Sequence, residues 1–312
     1  MSTHNFLPVS VIIPSFNSEN YLKACVSSIN RGVCPSEIII IDDCSTDGSL
    51  QVAENLAKKY SNINLIQSSV NVGAAGARQL GIDCCNNDYI ALIDADDFVE
   101  EGAIQSAYEQ LIREKADLSI WKLWQIDGDH RYEHPANPDS LPLTGTQCVY
   151  LTLGGWRCHP LGVSKKTLYE RAYKGFADDS IHADELITRV VFSLAHKVVG
   201  CDKKYFYRVN QTSTTRTLNL RRVSSLRSHI WILDFARRIP NAPLDKLKVD
   251  AINEAWFYWK NRDQINDERL ALEIRRFVNK ILEIRGIWST FRHFPRQASR
   301  ILFLYLVTMN AS

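Results

Sequence analysis

The sequence predicts an α/β fold with a mostly parallel central sheet, followed by a helical C-terminal region. Three observations predict it. Short β-branched runs alternate with stretches of helical period over the first hundred residues, acidic residues stand just after those runs, and from about residue 221 the pattern turns helical and arginine-rich. At 312 residues, 45% of them hydrophobic, the chain is long enough for one large domain with an appendage, and its composition is globular rather than disordered.

The runs VSVIIP, EIIIIDD, INLIQ and YIALIDADD read as strands. Near-continuous apolar runs of this kind suit strands covered on both faces. Right-handed crossovers then place helices near 18–30, 47–60 and 71–84, with Asn17 or Ser18, Ser45 and Asn71 as their starts. Further on, ADLSIWKLW and HKVVGCDKKYFYRV read as strands and HADELITRVVFSLA as a helix. LRSHIWILDFARRI, KLKVDAINEAWFYWKNR and ERLALEIRRFVNKILEIRG carry apolar stripes with arginine on the polar side.

Charge divides the chain. Residues 1–202 hold 16 basic against 26 acidic residues, whereas residues 203–312 hold 21 against 9. The basic residues of the second part are dispersed along helices with no recognition motif, so no nucleic-acid partner is expected. The start, MSTHNFLPVS, lacks the features of a secretory signal, and no eighteen apolar residues run together, so a cytoplasmic chain without a spanning segment is expected. The eight cysteines are scattered without metal-ligand spacing and read as reduced, mostly buried thiols.

In an open α/β sheet ligands bind at the carboxyl ends of the strands. Those ends carry Pro14 to Asn17 after the first run, Asp42 and Asp43 after the second, and Asp94, Asp96 and Asp97 after the fourth. Singly, each is as readily a turn or a helix cap; three on one edge point to a site. Asp94 and Asp96, spaced Asp-x-Asp on a rigid strand end, suit a hard divalent cation that bridges two phosphates. In NVGAAGARQ, small residues such as Gly73 let backbone amides approach phosphate or ribose, with Arg78 as a charge partner, although a Gly/Ala-rich helix start equally often serves packing.

VSVIIPSFNSENYL, EIIIIDDCSTDGS, NVGAAGARQLGI and YIALIDADD, in this order and spacing, resemble the inverting glycosyltransferases of family 2, in particular those that build bacterial surface polysaccharides. The likeness is close over the first hundred residues and looser to about 216. It implies the Rossmann-like A-type glycosyltransferase fold, with a catalytic domain over 1–216 (1–100 for the nucleotide-sugar, 101–216 for the acceptor) and a helical, basic region over 217–312. It implies a nucleotide-diphosphate sugar donor, a UDP-sugar by the presence of Asp43, and Mn²⁺ or Mg²⁺ as cofactor. Carried over by position, Pro14 and Phe16 flank the base, Asp43 holds the pyrimidine, Asp94 and Ala95 lie near the ribose, and Asp96 is the metal ligand.

The family's catalytic base follows a phenylalanine-led acidic loop, here GFADDSIHADELITRVV. Counting from Phe176 brings Asp184 and Glu185 to those positions with the two residue types exchanged, so either is the candidate base, and Asp178 and Asp179 come next. A lysine common before this loop is absent or replaced by Lys165. Trp156 and His159 stand where an acceptor sugar stacks or where the chain is simply anchored. In place of a metal-binding histidine after the last strand come Asn210 and TSTTR, with Arg216 a candidate to close over the diphosphate.

The expected acceptor is a carbohydrate or a lipid-linked oligosaccharide. Residues 285–312, with Arg285, Arg292, Arg296 and Arg300 among Trp288, Phe291, Phe294 and ILFLYLV, suit a peripheral contact with an anionic membrane at the inner face of the cell, or a helix docked on the rest of the protein. A sugar nucleotidyltransferase is the competing enzyme class, but its Gly-rich basic loop is replaced by PSFN. A carbohydrate-binding protein of the same fold with weak or no activity is the non-enzymatic alternative, supported by the exchanged Asp184 and Glu185.

Overall fold

The structure, a computed structural model, describes residues 6–174, 183–209, 218–284 and 286–309. Two compact units divide them. Described residues within 1–152, 156–179 and 187–210 form the first, and those within 153–155, 180–186 and 211–312 the second.

In the first unit the four apolar runs become β1 (Leu7–Ser15), β2 (Pro35–Asp42), β3 (Ile63–Gln67) and β4 (Tyr89–Leu92), all parallel in the order β3-β2-β1-β4. Their crossovers are α1 (Leu22–Ile29), α2 (Ser49–Lys59) and α3 (Gly73–Cys84). Strand alternation serves both faces of this sheet. Val9, Val11, Ile13, Ile38 and Ile40 pack with Leu22, Val26, Ala53 and Leu56 in one core, while Ile12 and Ile41 meet α3 at Gly81.

Beyond β4 the sheet becomes mixed. The remaining elements are β5 (Phe98–Val99), α4 (Ala103–Arg113), β6 (Leu118–Asp127), β7 (His130–Glu133), α5 (Gly145–Leu153), β8 (Gly162–Lys165), α6 (Lys166–Tyr173), α7 (Ala183–Leu194) and β9 (Val198–Arg208). β8 lies antiparallel between β4 and β6, β9 runs parallel to β6, and β5 closes the edge antiparallel to β9. The first half of the sheet is thus wholly parallel, and the second half mixes the parallel β6–β9 pair with antiparallel ones.

The helix starts differ from those the sequence suggests. α1 begins at Leu22, because Ser18 to Tyr21 make a turn in which the Tyr21 and Leu22 amides bond the Ser18 carbonyl. At α2 the acceptor is Asp47, whose carboxylate takes the Ser49 amide at 2.9 Å. The amides of Val72 and Gly73 that open α3 go to the Asp43 side chain, from another strand end.

The second unit is helical: α8 (Leu220–Val223), α9 (Ser225–Ala236), α10 (Leu244–Lys260), α11 (Arg262–Ile265), α12 (Arg269–Glu283), α13 (Ile287–His293) and α14 (Pro295–Val307). α9, α10, α12 and α14 pack together, burying Ile252, Ala255, Ile274, Val278, Ile281 and Leu304. Inside the unit, burial pushes the Glu254 carboxyl up, but hydrogen bonds from His229, Ser225 and Tyr258 outweigh it and hold the group down near 2. Among the described residues no helix is long and apolar enough to cross a membrane. All eight cysteines are unpaired, and five of them are buried.

The close seat of α3 on the sheet gives a test. A Cβ on Gly81 would lie 2.4 Å from Ile12 Cγ2 and 2.8 Å from Ile41 Cδ1, both in the packed core. Gly81→Ala is expected to cost about 1–3 kcal/mol, as overpacking does, visible as a lower urea midpoint; an unchanged midpoint would show that α3 is not seated this closely.

Candidate active site

The strand order reverses at β1, which has β2 on one side and β4 on the other. In open α/β sheets that switch point opens a crevice at the carboxyl ends. The loops that follow β1 and β2 are tied to each other. The Asn17 amide donates to Ser45 Oγ at 3.1 Å, the Thr46 amide to Asn17 Oδ1 at 2.8 Å, and the Ser18 amide to Ser49 Oγ at 2.6 Å. Asn17 and Cys44, just past β1 and β2, are both left-handed, with φ of 50° and 60°. Such strain persists where neighbours over-determine the backbone, commonly at functional sites.

Of the sequence-predicted residues, Pro14 is the half-buried next-to-last residue of β1, and Phe16, just past the strand's end, is exposed. Asp43 is buried, and its two carboxylate oxygens accept the Val72 amide at 2.7 Å and the Gly73 amide at 2.8 Å. Gly73 has φ +75°, which only glycine adopts freely, so the amide reaches Asp43 without strain. Arg78, on α3, forms an ion pair with Asp94 at 2.6 Å.

After β4 three carboxylates fall within four residues. The Asp97 side chain is buried; Tyr205 donates its hydroxyl to Asp97 Oδ2 at 2.6 Å, and the Arg208 amide donates to Oδ1 at 2.8 Å. The same Tyr205 oxygen accepts the Asp94 amide at 3.2 Å, and Arg208 Nε donates to the Asp96 carbonyl at 2.9 Å. Tyr205 itself is buried and stacked on Trp121. Burial and the neighbouring carboxylates raise Asp97 well above its ordinary value. Asp96 is also raised, by burial and then by Asp94. Ala95 is buried between the two. A raised carboxyl among like charges is a place where a cation is favourable.

Among the described residues no three His, Cys, Asp or Glu side chains come together to hold a metal. The edge offers the Asp96 carboxyl with Asp94 beside it. That donor set fits Mg²⁺ or Mn²⁺, which take one or two protein carboxylates and leave their other positions to water and phosphate. The sheet's amino edge differs: there the buried Glu37 carboxylate is occupied by Ser10, Asn64 and Asn86 donors at 2.6–3.1 Å and serves the fold alone.

A family model for glycosyl transferase family 2 matches residues 10–159, the stretch that runs from within β1 through β4 and holds every carboxylate of this edge. Over residues 10–159 the chain is similar to family 2 glycosyltransferases. A poly(ribitol-phosphate) beta-glucosyltransferase of Bacillus spizizenii is 30% identical over 214 residues, which are 66% of this chain and 33% of that protein. Glycosyltransferase GlyG of Streptococcus pneumoniae is 27% identical over 222 residues, 67% of this chain and 73% of that protein. This chain therefore spans about a third of the first relative and most of the second. A crystal structure of Staphylococcus aureus TarS 1-349 in complex with UDP-GlcNAc matches with a TM-score of 0.71 at 16% identity, covering 97% of this chain and 90% of that one, and shows the A-type fold.

Elsewhere in the chain, Asp184 and Glu185 form the first turn of α7, and the Glu185 amide donates to Asp184 Oδ1 at 3.0 Å. Lys165 is bound to Asp117 at 2.7 Å and works within the sheet. His159 is buried, pushed down to about 3 by burial, and bonded to Asn137 and the Leu161 amide, so it anchors the chain as a neutral ring. Trp156 lies over the buried Arg189 guanidinium at 5.2 Å and remains 36% exposed. Asp178, Asp179, Asn210 and Arg216 lie outside the described residues.

Sequence reasoning missed Tyr205 and Arg208, more than a hundred residues from the aspartates they hold. The available signal was Asp97 itself: a third acid beside an apolar strand end needs donors from another element. Tyr205→Phe removes Asp97's shortest donor and the acceptor of the Asp94 amide. A loss of about 1–3 kcal/mol in urea unfolding is expected; equal stability would deny Tyr205 this role.

Proposed function

We propose that the chain transfers a hexosyl or N-acetylhexosaminyl group from a UDP-sugar to a carbohydrate or lipid-linked acceptor, with inversion, in the synthesis of a cell-surface polysaccharide. The carrying observation is the carboxylate edge at the β1/β4 switch point, where Asp43, Asp94 and Asp96 meet a helix start and an arginine. Two further facts support it. Relatives are named as poly(ribitol-phosphate) transferases, one glucosyl and one N-acetylglucosaminyl, and the TarS crystal structure of like fold is described as a UDP-GlcNAc complex.

In this reading the chain works at the cytoplasmic side of the membrane, and the exposed Phe16 with Pro14 flanks the base. Asp43 has used two of its lone pairs on Val72 and Gly73 and keeps others for a pyrimidine N–H. Asp94, fixed by Arg78 and Tyr205, lies with Ala95 toward the ribose. Asp96 would hold a divalent cation, Mn²⁺ or Mg²⁺, which neutralises charge on the departing diphosphate. Glu185 takes the proton of the acceptor hydroxyl and Asp184 supports it, on the count from Phe176. No covalent enzyme nucleophile is needed for a single displacement.

Among UDP-, GDP- and dTDP-sugars, a UDP-sugar is expected to be turned over and to raise the melting temperature; a response confined to another nucleotide would refute the donor. Loss of a positioned base costs about 10²- to 10⁴-fold in rate. Glu185→Gln is accordingly expected to lose transfer by that factor while UDP affinity, measured by calorimetry, is retained. If Asp184→Asn behaves so and Glu185→Gln stays active, the roles are exchanged; if both variants stay active, neither is the base.

A further inference from the structure

The last helix of the second unit is apolar on both of its sides. α14 turns Ile301 and Leu304 inward, yet Leu302, Phe303, Leu306 and Val307 on its outer side, and Met309 just beyond, are 40–59% exposed. A surface helix ordinarily turns polar residues to water, but no charged residue follows Arg300. The apolar area continues sideways. Phe303 stands edge-on to Trp256 and Trp259, with centroids 5.5 and 6.5 Å away.

Cations rim this patch. The guanidinium groups of Arg300, Arg262 and Arg275 lie over Trp256, Trp259 and Tyr305 at 5.8, 5.2 and 4.1 Å. Arg292 and Arg296 are exposed at and just before the start of α14, and Trp288 on α13 is 70% exposed. No Asp or Glu follows Glu283 in the sequence, whereas four arginines do. An apolar face with an arginine-bearing rim and interfacial aromatics has the composition of a helix that rests in the headgroup layer of an anionic bilayer.

We propose that this surface docks on an anionic lipid bilayer, the outer side chains of the last two turns of α14 entering the acyl boundary and the arginines meeting lipid phosphates. At 13 residues α14 is too short to span a bilayer, so it lies in the interface plane. A second copy is the poorer occupant. A two-fold contact would set arginine rims against each other with no acidic residue from the last 29 positions to answer them. The inference stands on the second unit alone and does not depend on the donor chemistry proposed above.

The test is sedimentation of the full chain with vesicles of phosphatidylcholine, alone or doped with phosphatidylglycerol. Binding is expected only to the doped vesicles and to weaken with salt. Leu302→Glu with Leu306→Glu, both at exposed positions, is expected to reduce the bound fraction's partition coefficient roughly tenfold or more with an unchanged melting temperature. Arg296→Glu is expected to weaken binding to doped vesicles. The proposal is overturned if the parent chain ignores doped vesicles, binds both kinds equally, or is matched by both variants. It is equally overturned if the chain forms a dimer that the leucine substitutions dissolve while vesicle binding is absent.

Discussion

Three carboxylates within four residues, at the end of a buried strand, are the constraint from which the rest of the first unit follows. Like charges so close in a partly desolvated edge repel, and each must be answered or held neutral. Asp94 is answered by Arg78, and Asp97 by Tyr205 and the Arg208 amide, while Asp96 has the Arg208 guanidinium on its carbonyl rather than on its carboxylate. Two of the three thus serve to aim the backbone that presents the third. The donors arrive on α3 from one side and on β9 from the other. The mixed half of the sheet, by carrying β9 alongside β6 and β5, brings Tyr205 to the end of β4.

Much of this edge was legible in the sequence because it is local. Strand runs of Ile and Val announce burial on both faces, and the residues just after them are then at the carboxyl edge by topology alone. Asp43, Asp94 and Asp96 were found in that way. What was not legible depends on contacts between distant segments. That Asp43 would cap α3, displacing Asn71 from that part, follows from a φ of +75° at Gly73 and the neighbouring of β2 and α3. His159 read as a possible sugar contact because aromatic side chains near glycine do either job; only its burial and its bonds to Asn137 and Leu161 decide for an anchor. The antiparallel insertion of β8 was hidden because GVSK is too short to show a strand period.

The division of charge has a physical counterpart in the two units. The acidic first part concentrates carboxylates where a cation and a diphosphate would be gathered, and the basic second part is a helical body whose own acids are spent internally, as Glu254 is on His229, Ser225 and Tyr258. What remains outward near the C-terminal helix is arginine and apolar side chain.

In the proposed function Asp96 presents a divalent cation to a nucleotide diphosphate. Calorimetric titration of UDP into the parent chain and into Asp96→Asn, each with and without Mn²⁺, tests it most directly. UDP is expected to bind the parent far more tightly with Mn²⁺ than without, and the variant is expected to lose that difference while keeping the metal-free affinity. Equal enhancement by Mn²⁺ in both proteins, or UDP binding indifferent to Mn²⁺ in the parent, would contradict the assignment.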